Sequence, residues 1–490
     1  MTRAGLAGLA AASLLLAGCT SGARKPDAGP VPSPPATTAV VHDGPSSVPG
    51  GQVLDAALSE PVEDSVYPDI GDPGVDALHY DLDLHWTPRT KTLDALETLV
   101  FRSTDDAADF QLDFSKALTA TAVTLDGKPV AFEQLGKDLV VQAAVSQDQR
   151  YTLEIAYAGT PRPAAAPTTR GDFNTTGWTI TDDNETWTMQ EPYGAFTWYA
   201  VNDQPSDKAL YDFTISVPSP WVGVANGELE SRTQADGSTV SRWHLSEPAA
   251  SYLVTVAIGD FQLTRDESAD GVPITYWTPR DQPRLVDGLR ETSAGLDWLE
   301  EKLGPYPFDS LGVVLVDSFS GMETQTMITL GITDYTTSPE VLVHEMVHQW
   351  YGDLVTPRDW RDVWMNEGMA MYLQGLYQAD HEHRSVQSVM NYWASFEPRL
   401  RRESGPPAAY DPATFGEGNI YYGPALMWDE LRQRIGDDAF FALVRDWPRA
   451  NEFGNAGRED YLPWLEERTG LELTSFFDDW LLGAKSPARS

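Results

Sequence analysis

The sequence is poor in cysteine and in positive charge. Cys19 is its only cysteine in 490 residues, which excludes an intrachain disulfide and leaves core burial and any bound metal to stabilise the fold. Lys and Arg number 34 against 73 Asp and Glu, a formal net charge of −39. So negative a surface disfavours nucleic acids and anionic membranes as partners and would attract cationic ligands, unless it serves only solubility.

The apolar run at the N-terminus is too short for a stable membrane span. Residues 1–18 join a basic start to a short apolar core, which is typical of a secretory signal peptide. The run ends in the letters LAGC, which resemble a bacterial lipobox. This ending implies cleavage before Cys19, lipid on its thiol and a location outside the cytoplasm. An ordinary signal peptide with a chance cysteine, giving a secreted protein, is the alternative.

Composition divides the remaining chain into three parts. Residues 19–64 are rich in Pro, Ser, Ala, Gly and Thr and predict a disordered, lipid-anchored linker. Residues 65–263 carry closely spaced strand patterns separated by Asp-Gly and Asn-Gly turns, which predict an all-β saddle or sandwich. Residues 264–490 are mainly helical in pattern. Together these parts predict a multidomain α+β protein.

An H-E-x-x-H pattern at residues 344–348 is the main chemical signal. On a helix, positions i and i+4 share one face, so His344 and His348 can bind one zinc ion while Glu345 activates a water molecule. A catalytic zinc needs a third protein ligand, and a second helical pattern makes Glu367 the candidate. A solvated helix face with two histidines is the alternative. The apolar residues around the motif favour burial, and buried His and Glu need a partner such as a metal.

With its flanking sequence the motif resembles that of the gluzincin aminopeptidases, which include aminopeptidase N and leukotriene hydrolase. Their pattern is H-E-x-x-H, eighteen residues, then Glu, and His348 and Glu367 have that separation. The flanking letters HQWYG and WMNEG also match, with Tyr351 where Phe is usual. The resemblance covers roughly residues 67–482 and implies an N-terminal β saddle followed by a thermolysin-like, mainly helical zinc domain. Because the chain ends soon after Trp480, we expect a short bacterial lipoprotein without the C-terminal helical domain of longer members.

The resemblance also implies residues that hold the free amino group of a substrate. The family motif G-x-M-E-N is matched imperfectly by SGMET at residues 320–324. This match implies that Glu323 binds the ammonium and that Gly321 and Met322 adjoin the substrate. Thr324 replaces the family Asn, which puts the backbone geometry of this loop in question but not the carboxylate.

A segment of the β domain, TMQEPYGA at residues 188–195, resembles the part of the family that grips the same ammonium. The alignment implies Glu191 for this role, with its neighbour Gln190 as the less favoured choice. Two carboxylates around one ammonium form charge-assisted hydrogen bonds that a neutral amide nitrogen does not match. They would place the zinc one residue from a free amine and so make the enzyme an exopeptidase.

The family tyrosine that stabilises the oxyanion lies in a Y-x-K/R-G-A-L motif, which IYYGPAL at residues 420–426 matches in part. The alignment selects Tyr421, and Tyr422 is a rival one residue further on. Gly423 and Pro424 stand where the family has a basic residue and Gly. A neutral phenol together with zinc can stabilise the charge that develops on a carbonyl oxygen under attack.

The sequence therefore predicts a lipid-anchored zinc metallo-aminopeptidase with one Zn²⁺ that acts on peptides with a free N-terminus. Glu345 would take a proton from the attacking water and pass it to the leaving amine. Three alternatives remain open: another zinc hydrolase such as an endopeptidase or epoxide hydrolase, a catalytically inactive surface-binding lipoprotein, and a zinc-scavenging lipoprotein. The intact set of His344, Glu345, His348 and Glu367 disfavours the last two, because a binding protein needs no general base.

Overall fold

The computed structural model describes residues 53–489, so the expected signal peptide and Cys19 lie outside the described residues. Within them the N-terminal domain consists of strands that alternate buried and exposed side chains where one face meets solvent. The strands are β1 (Val75–Thr87), β2 (Thr92–Ser103), β3 (Phe110–Asp113), β4 (Leu118–Leu125), β5 (Lys128–Pro129), β6 (Ala131–Leu135), β7 (Asp138–Gln142), β8 (Arg150–Gly159), β9 (Ala164–Ala165), β10 (Thr175–Ile180), β11 (Thr186–Met189), β12 (Lys208–Pro218), β13 (Val222–Ala225), β14 (Glu228–Ala235), β15 (Ser238–Ala250) and β16 (Val256–Gly259).

Three sheets make up this domain. The largest has the order β14-β15-β12-β1-β2-β8-β4-β5, in which β1 and β12 are parallel and the other neighbours antiparallel. A five-stranded sheet, β13-β16-β11-β10-β9, and a three-stranded sheet, β3-β7-β6, complete it. Trp86, Trp178 and Trp198 are fully buried in the core of this domain. The predicted all-β domain is confirmed.

Residues 53–64, the last part of the predicted linker, are structured. Leu54 lies in a short 3-10 helix and is fully buried beside Leu78 of the large sheet. The Ser59 amide donates to Asp76 at 3.0 Å, and Asp64 accepts a hydrogen bond from the Trp360 amide of the second domain at 2.7 Å. The prediction of disorder is therefore wrong for residues 53–64, because hydrogen bonds that composition does not reveal fix this segment. The rest of the predicted linker, residues 19–52, lies outside the described residues.

The second domain begins with a mixed five-stranded sheet of order β17-β18-β19-β21-β20. Its strands, and a separate two-stranded pair, are β17 (Phe261–Glu267), β18 (Pro273–Pro279), β19 (Leu311–Val316), β20 (Gly321–Met322), β21 (Met327–Gly331), β22 (Thr356–Pro357) and β23 (Asn455–Ala456). Strand β17 pairs with β18 from Phe261 onward, so the change of domain falls just before Phe261 and not at residue 264.

The rest of this domain is helical, as predicted. Its helices are α1 (Val286–Leu289), α2 (Glu291–Leu303), α3 (Pro339–His348), α4 (Trp364–His381), α5 (Val386–Ala394), α6 (Glu397–Ser404), α7 (Asn419–Ile435), α8 (Asp437–Ala450), α9 (Arg458–Thr469) and α10 (Thr474–Leu481). Ser338 caps α3 by accepting from the Val341 amide, and Pro339 occupies the first helical position. Helix α4 packs against α3 and α7, which positions the site described next. Among residues 53–489, none of the helices has the length and apolar character needed to cross a membrane.

Candidate active site

Helices α3 and α4 bring together the three residues predicted as metal ligands. His344 and His348 lie one turn apart on α3, and their Nε2 atoms are 3.2 Å apart. Glu367, in the first turn of α4, places Oε2 3.2 Å from His344 Nε2 and 3.5 Å from His348 Nε2. All three side chains are largely buried, so their ligand atoms face one another away from bulk water.

The surroundings of these atoms fit a bound zinc ion. His344 Nδ1 lies 3.0 Å from Gln374 Oε1, and His348 Nδ1 lies 3.0 Å from the Tyr351 carbonyl oxygen. Because both partners are acceptors, each Nδ1 carries a hydrogen, and in the neutral imidazoles this leaves each Nε2 lone pair facing the Glu367 carboxylate. In that protonation state three buried acceptor groups face one another, and a metal cation between them satisfies all three. Ligand atoms of a tetrahedral zinc, at about 2.0–2.1 Å, are about 3.3 Å apart, in agreement with the 3.2–3.5 Å found here.

Gln374 belongs to the site although it was not predicted. Its contact with the outer nitrogen of His344 fixes the orientation of the imidazole, and such contacts also increase the basicity of a ligand. Gln374 follows Glu367 by seven residues, two turns along the same helix, so both side chains lie on one face of α4. The spacing marks the shared face of α4, but an amide suggests no metal chemistry by itself, so the sequence carries only a weak signal for Gln374.

Glu345 projects from α3 into the same space. One oxygen of Glu345, one oxygen of Glu323 and one nitrogen of His348 lie within 4.8 Å of one another. Burial, followed by the charge of Glu323, raises the pKa of Glu345 to about 8. A bound metal cation acts in the opposite direction and favours the carboxylate that accepts a proton. Gly321 leaves room for this group, since a Cβ there would lie 2.8 Å from Glu345 Oε1.

Glu323 and Glu191 approach the site from the two domains. Glu323 directly follows β20, and Glu191 lies two residues beyond β11. Both are buried, and Oε1 of each has no hydrogen-bond partner within residues 53–489. Burial raises the pKa of both carboxyls, and the charge of Glu323 raises that of Glu191 further. Two buried carboxylates with unsatisfied oxygens can accept hydrogen bonds from a cationic ligand.

Both the nitrogen and the oxygen of the side-chain amide of Gln190, the alternative to Glu191, form hydrogen bonds inside the β domain. Its Nε2 donates to the carbonyl oxygens of Ser251 and Val254 at 2.7 and 2.8 Å. Its Oε1 accepts from Trp198 Nε1 at 2.9 Å. Glu191, and not Gln190, therefore lines the cavity.

Thr324, which follows Glu323, is buried and faces the protein interior. Its hydroxyl donates to the Met327 carbonyl oxygen, and its Oγ1 lies 3.0 Å from Thr329 Oγ1. The Met327 amide donates back to the Thr324 carbonyl oxygen at 3.0 Å. Thr324 thus holds the turn between β20 and β21, so the departure from Asn leaves Glu323 in a defined loop.

Tyr421 and Tyr422 both line the cavity but differ in their contacts. The Tyr421 ring lies nearly parallel to that of His344, with centroids 6.0 Å apart. Tyr422 packs edge-on against Phe396 and Trp393, with centroids 4.7 and 5.6 Å away. Burial, followed by the charge of Glu367, raises the pKa of Tyr421 well above its usual value. It therefore stays a neutral phenol that can donate a hydrogen bond.

The site opens into a cavity of about 560 Å³, which residues of both domains line. Arg170, on the segment between β9 and β10, was not predicted as a site residue. Its Nη1 lies 3.5 Å from the Tyr421 hydroxyl and 2.9 Å from the Gly416 carbonyl oxygen. No local pattern marks Arg170, because it lies 251 residues before Tyr421 in the chain.

Comparison with known proteins gives matches in both domains. Residues 76–253 match the peptidase M1 N-terminal domain, and residues 288–480 match the peptidase family M1 domain. Aminopeptidase N of Streptomyces lividans is 26% identical over 446 residues, which cover 83% of this chain and 50% of that protein. Aminopeptidase N of Lactobacillus helveticus is 26% identical over 432 residues, with 82% and 50% covered. The chain thus spans about half the length of these relatives.

Solved structures share the two-domain fold. A crystal structure of an M1 zinc metallopeptidase from Deinococcus radiodurans has a TM-score of 0.79 at 24% identity, covering 88% of this chain and 98% of that chain. A mutant of that enzyme bound to a Tyr-Ser-Ala substrate has a TM-score of 0.78 at 23% identity, covering 88% and 99%. The resemblance predicted from the H-E-x-x-H segment is confirmed. Since both domains match in order over more than half of its length, the chain belongs to peptidase family M1.

Proposed function

We propose that this protein is a zinc aminopeptidase that removes single residues from the N-terminus of peptides. The observation that carries the proposal is the pair of buried carboxylates, Glu323 and Glu191, beside the proposed zinc ligands. An ammonium group is the peptide feature that two carboxylates bind most strongly. One oxygen of Glu323 lies within 4.8 Å of one oxygen of Glu345 and one nitrogen of His348. One extended residue spans about 3.3–3.6 Å, which is close to this separation. A peptide whose ammonium group binds Glu323 therefore places its first peptide bond beside Glu345.

His344, His348 and Glu367 would hold the zinc ion. When bound, zinc polarises a substrate carbonyl and lowers the pKa of water towards about 7. Glu345 accepts the proton of the attacking water and delivers it to the leaving amine. Tyr421 donates a hydrogen bond to the carbonyl oxygen on which negative charge develops.

The edge strand β20 would bind the substrate backbone. Gly321 and Met322 pair with Leu330 and Thr329 of β21 on one side, and both residues line the cavity. An extended peptide can add to the free edge of such a strand through its main-chain groups. This placement accounts for the proposed role of Gly321 and Met322 next to the substrate.

Export and lipid attachment at Cys19 also form part of the proposal. They rest on the sequence of residues 1–19 alone, where a short apolar run precedes Leu16-Ala17-Gly18-Cys19. An enzyme held in this way would meet peptides outside the cytoplasm.

Hydrolysis of aminoacyl-p-nitroanilides tests the proposed activity. We expect the purified protein to cleave them, to lose this activity after treatment with a chelator and dialysis, and to regain it with one equivalent of Zn²⁺. The N-acetylated anilides are the matched control and should not be cleaved. A zinc-loaded protein that cleaves none of a broad panel would contradict the proposal, and equal cleavage of acetylated anilides would indicate an endopeptidase.

A further inference from the structure

We propose that Arg170 of the N-terminal domain is a positioning residue that directs the hydroxyl hydrogen of Tyr421 towards the reacting carbonyl. The proposal rests on the aminopeptidase function proposed above. Arg170 lies between β9 and β10 and lines the cavity. The β domain would therefore contribute two residues to the reaction, Glu191 and Arg170.

The guanidinium group of Arg170 is held on two sides. Its Nε and Nη2 donate to the two carboxylate oxygens of Asp172 at 3.2 and 2.6 Å. Its Nη1 donates to the Gly416 carbonyl oxygen at 2.9 Å and lies 3.5 Å from the Tyr421 hydroxyl. The bidentate pair with Asp172 fixes the plane of the group, so the N–H directed at Tyr421 has a defined direction.

Contacts between the domains fix the segment that carries Arg170. The Phe415 amide donates to the Pro167 carbonyl oxygen at 2.9 Å, and Thr169 Oγ1 donates to Glu417 Oε1 at 2.5 Å. With the bond from Arg170 to Gly416, three hydrogen bonds join this segment to residues 415–417. These residues immediately precede α7, which carries Tyr421.

A guanidinium group has only donors, so the Tyr421 oxygen must accept from Arg170 and must direct its own hydrogen elsewhere. Within residues 53–489 the Tyr421 hydroxyl has no other hydrogen-bond partner, which leaves its hydrogen free for the substrate. The Tyr421 ring lies alongside that of His344, which places this residue beside the proposed metal site. The contact of 3.5 Å is long, and catalytic hydrogen bonds commonly shorten when charge develops in the transition state.

A double-mutant cycle with Tyr421→Phe tests this role. We expect Arg170→Met to lower kcat about 10-fold with KM within about twofold, and Tyr421→Phe to lower kcat about 10²- to 10³-fold. In the double variant, Arg170→Met should lower kcat no further than Tyr421→Phe alone, because Arg170 acts through the Tyr421 hydroxyl, which is already absent. Arg170→Lys should restore part of kcat, because it keeps the charge and one donor. Arg399→Met is the matched control, since Arg399 also lines the cavity but pairs with the exposed Glu403.

A binding measurement separates positioning from other roles. Calorimetry should show that Arg170→Met weakens a tetrahedral aminophosphonate analogue of the transition state but not the free amino acid product. Zinc content should equal that of the wild type. The thermal unfolding temperature should fall by only a few degrees, because the bond to the Gly416 carbonyl is lost while those of Pro167 and Thr169 remain. If Arg170→Met does not fold, Arg170→Gln takes its place in the cycle.

Two results would overturn the proposal. Losses that multiply in the double variant would show that Arg170 acts independently of Tyr421. A raised KM for dipeptides but not for anilides, which lack a C-terminal carboxylate, would show that Arg170 binds that carboxylate directly. Either result leaves the aminopeptidase assignment standing, whereas failure of the wild-type protein to cleave any free-amine anilide would refute that assignment itself.

Discussion

Replacing Glu345 with Gln is expected to lower kcat by at least about 10³-fold while zinc stays bound. The amide has almost the same shape as the carboxylate but accepts no proton, so the attacking water loses its general base. The three proposed zinc ligands, His344, His348 and Glu367, are untouched. The measurements are kcat on aminoacyl-anilides and zinc content by atomic absorption. Wild-type turnover by a pure, zinc-loaded Glu345→Gln protein would contradict the assigned role.

The thermal stability of the metal-free Glu345→Gln variant shows whether its inactivity reflects misfolding. Burial raises the pKa of Glu345 to about 8, so the folded, metal-free chain binds this proton more tightly than the unfolded chain. The stabilisation from that proton is complete below the unfolded pKa and is lost as the pH rises towards about 8. At neutral pH the metal-free Glu345→Gln variant should therefore unfold at a temperature no lower than that of the metal-free wild type. A large loss of stability would mean that inactivity reflects misfolding.

Replacing Glu323 with Gln is expected to lower kcat/KM on free-amine substrates about 10²- to 10³-fold. Loss of one charged partner from a buried ion pair costs about 2–5 kcal/mol, and the amide keeps the shape of the group but not its charge. Glu403→Gln is the matched control, because Glu403 lines the same cavity with its side chain 56% exposed. It should change kcat/KM less than about twofold. Unchanged kcat/KM in Glu323→Gln would show that the amino group binds elsewhere.

The proposed metal ligands were predictable because local geometry places them. The spacing of His344 and His348 is one helical turn, and Glu367 lies in the first turn of the next long helix, so each position follows from a pattern within 24 residues. Gln374 had a comparable signal, seven residues after Glu367, but an amide at that spacing suggests no metal chemistry by itself. Glu323 and Glu191 were accessible only through the resemblance, since a single carboxylate in a loop carries no periodic pattern.

Features that depend on contacts between domains escaped prediction. Arg170 reaches Tyr421 across 251 residues of sequence, and its place depends on how residues 167–170 dock against residues 415–417. Residues 53–64 have a composition typical of a linker, yet Asp64 bonds to the Trp360 amide of the other domain. Composition reports how much apolar surface a segment can bury but not which backbone groups its polar side chains will meet.

The different positions of Tyr421 and Tyr422 show what the structure adds to a motif. Both tyrosines fit the sequence pattern, and one turn of α7 carries both. Successive side chains on a helix point about 100° apart, so only one of them can stack on His344. The packing of α7 against α4 places the Tyr421 ring beside His344 and the Tyr422 ring against Phe396 and Trp393.

The most direct test of the central claim is mass spectrometry of the products from one peptide in its free and N-acetylated forms. A zinc aminopeptidase with its amine site at Glu323 and Glu191 should shorten the free peptide one residue at a time from its N-terminus. It should leave the acetylated peptide intact, and Glu345→Gln should leave both intact. Internal fragments, or equal cleavage of the acetylated peptide, would contradict the proposal that this site recognises a free amine.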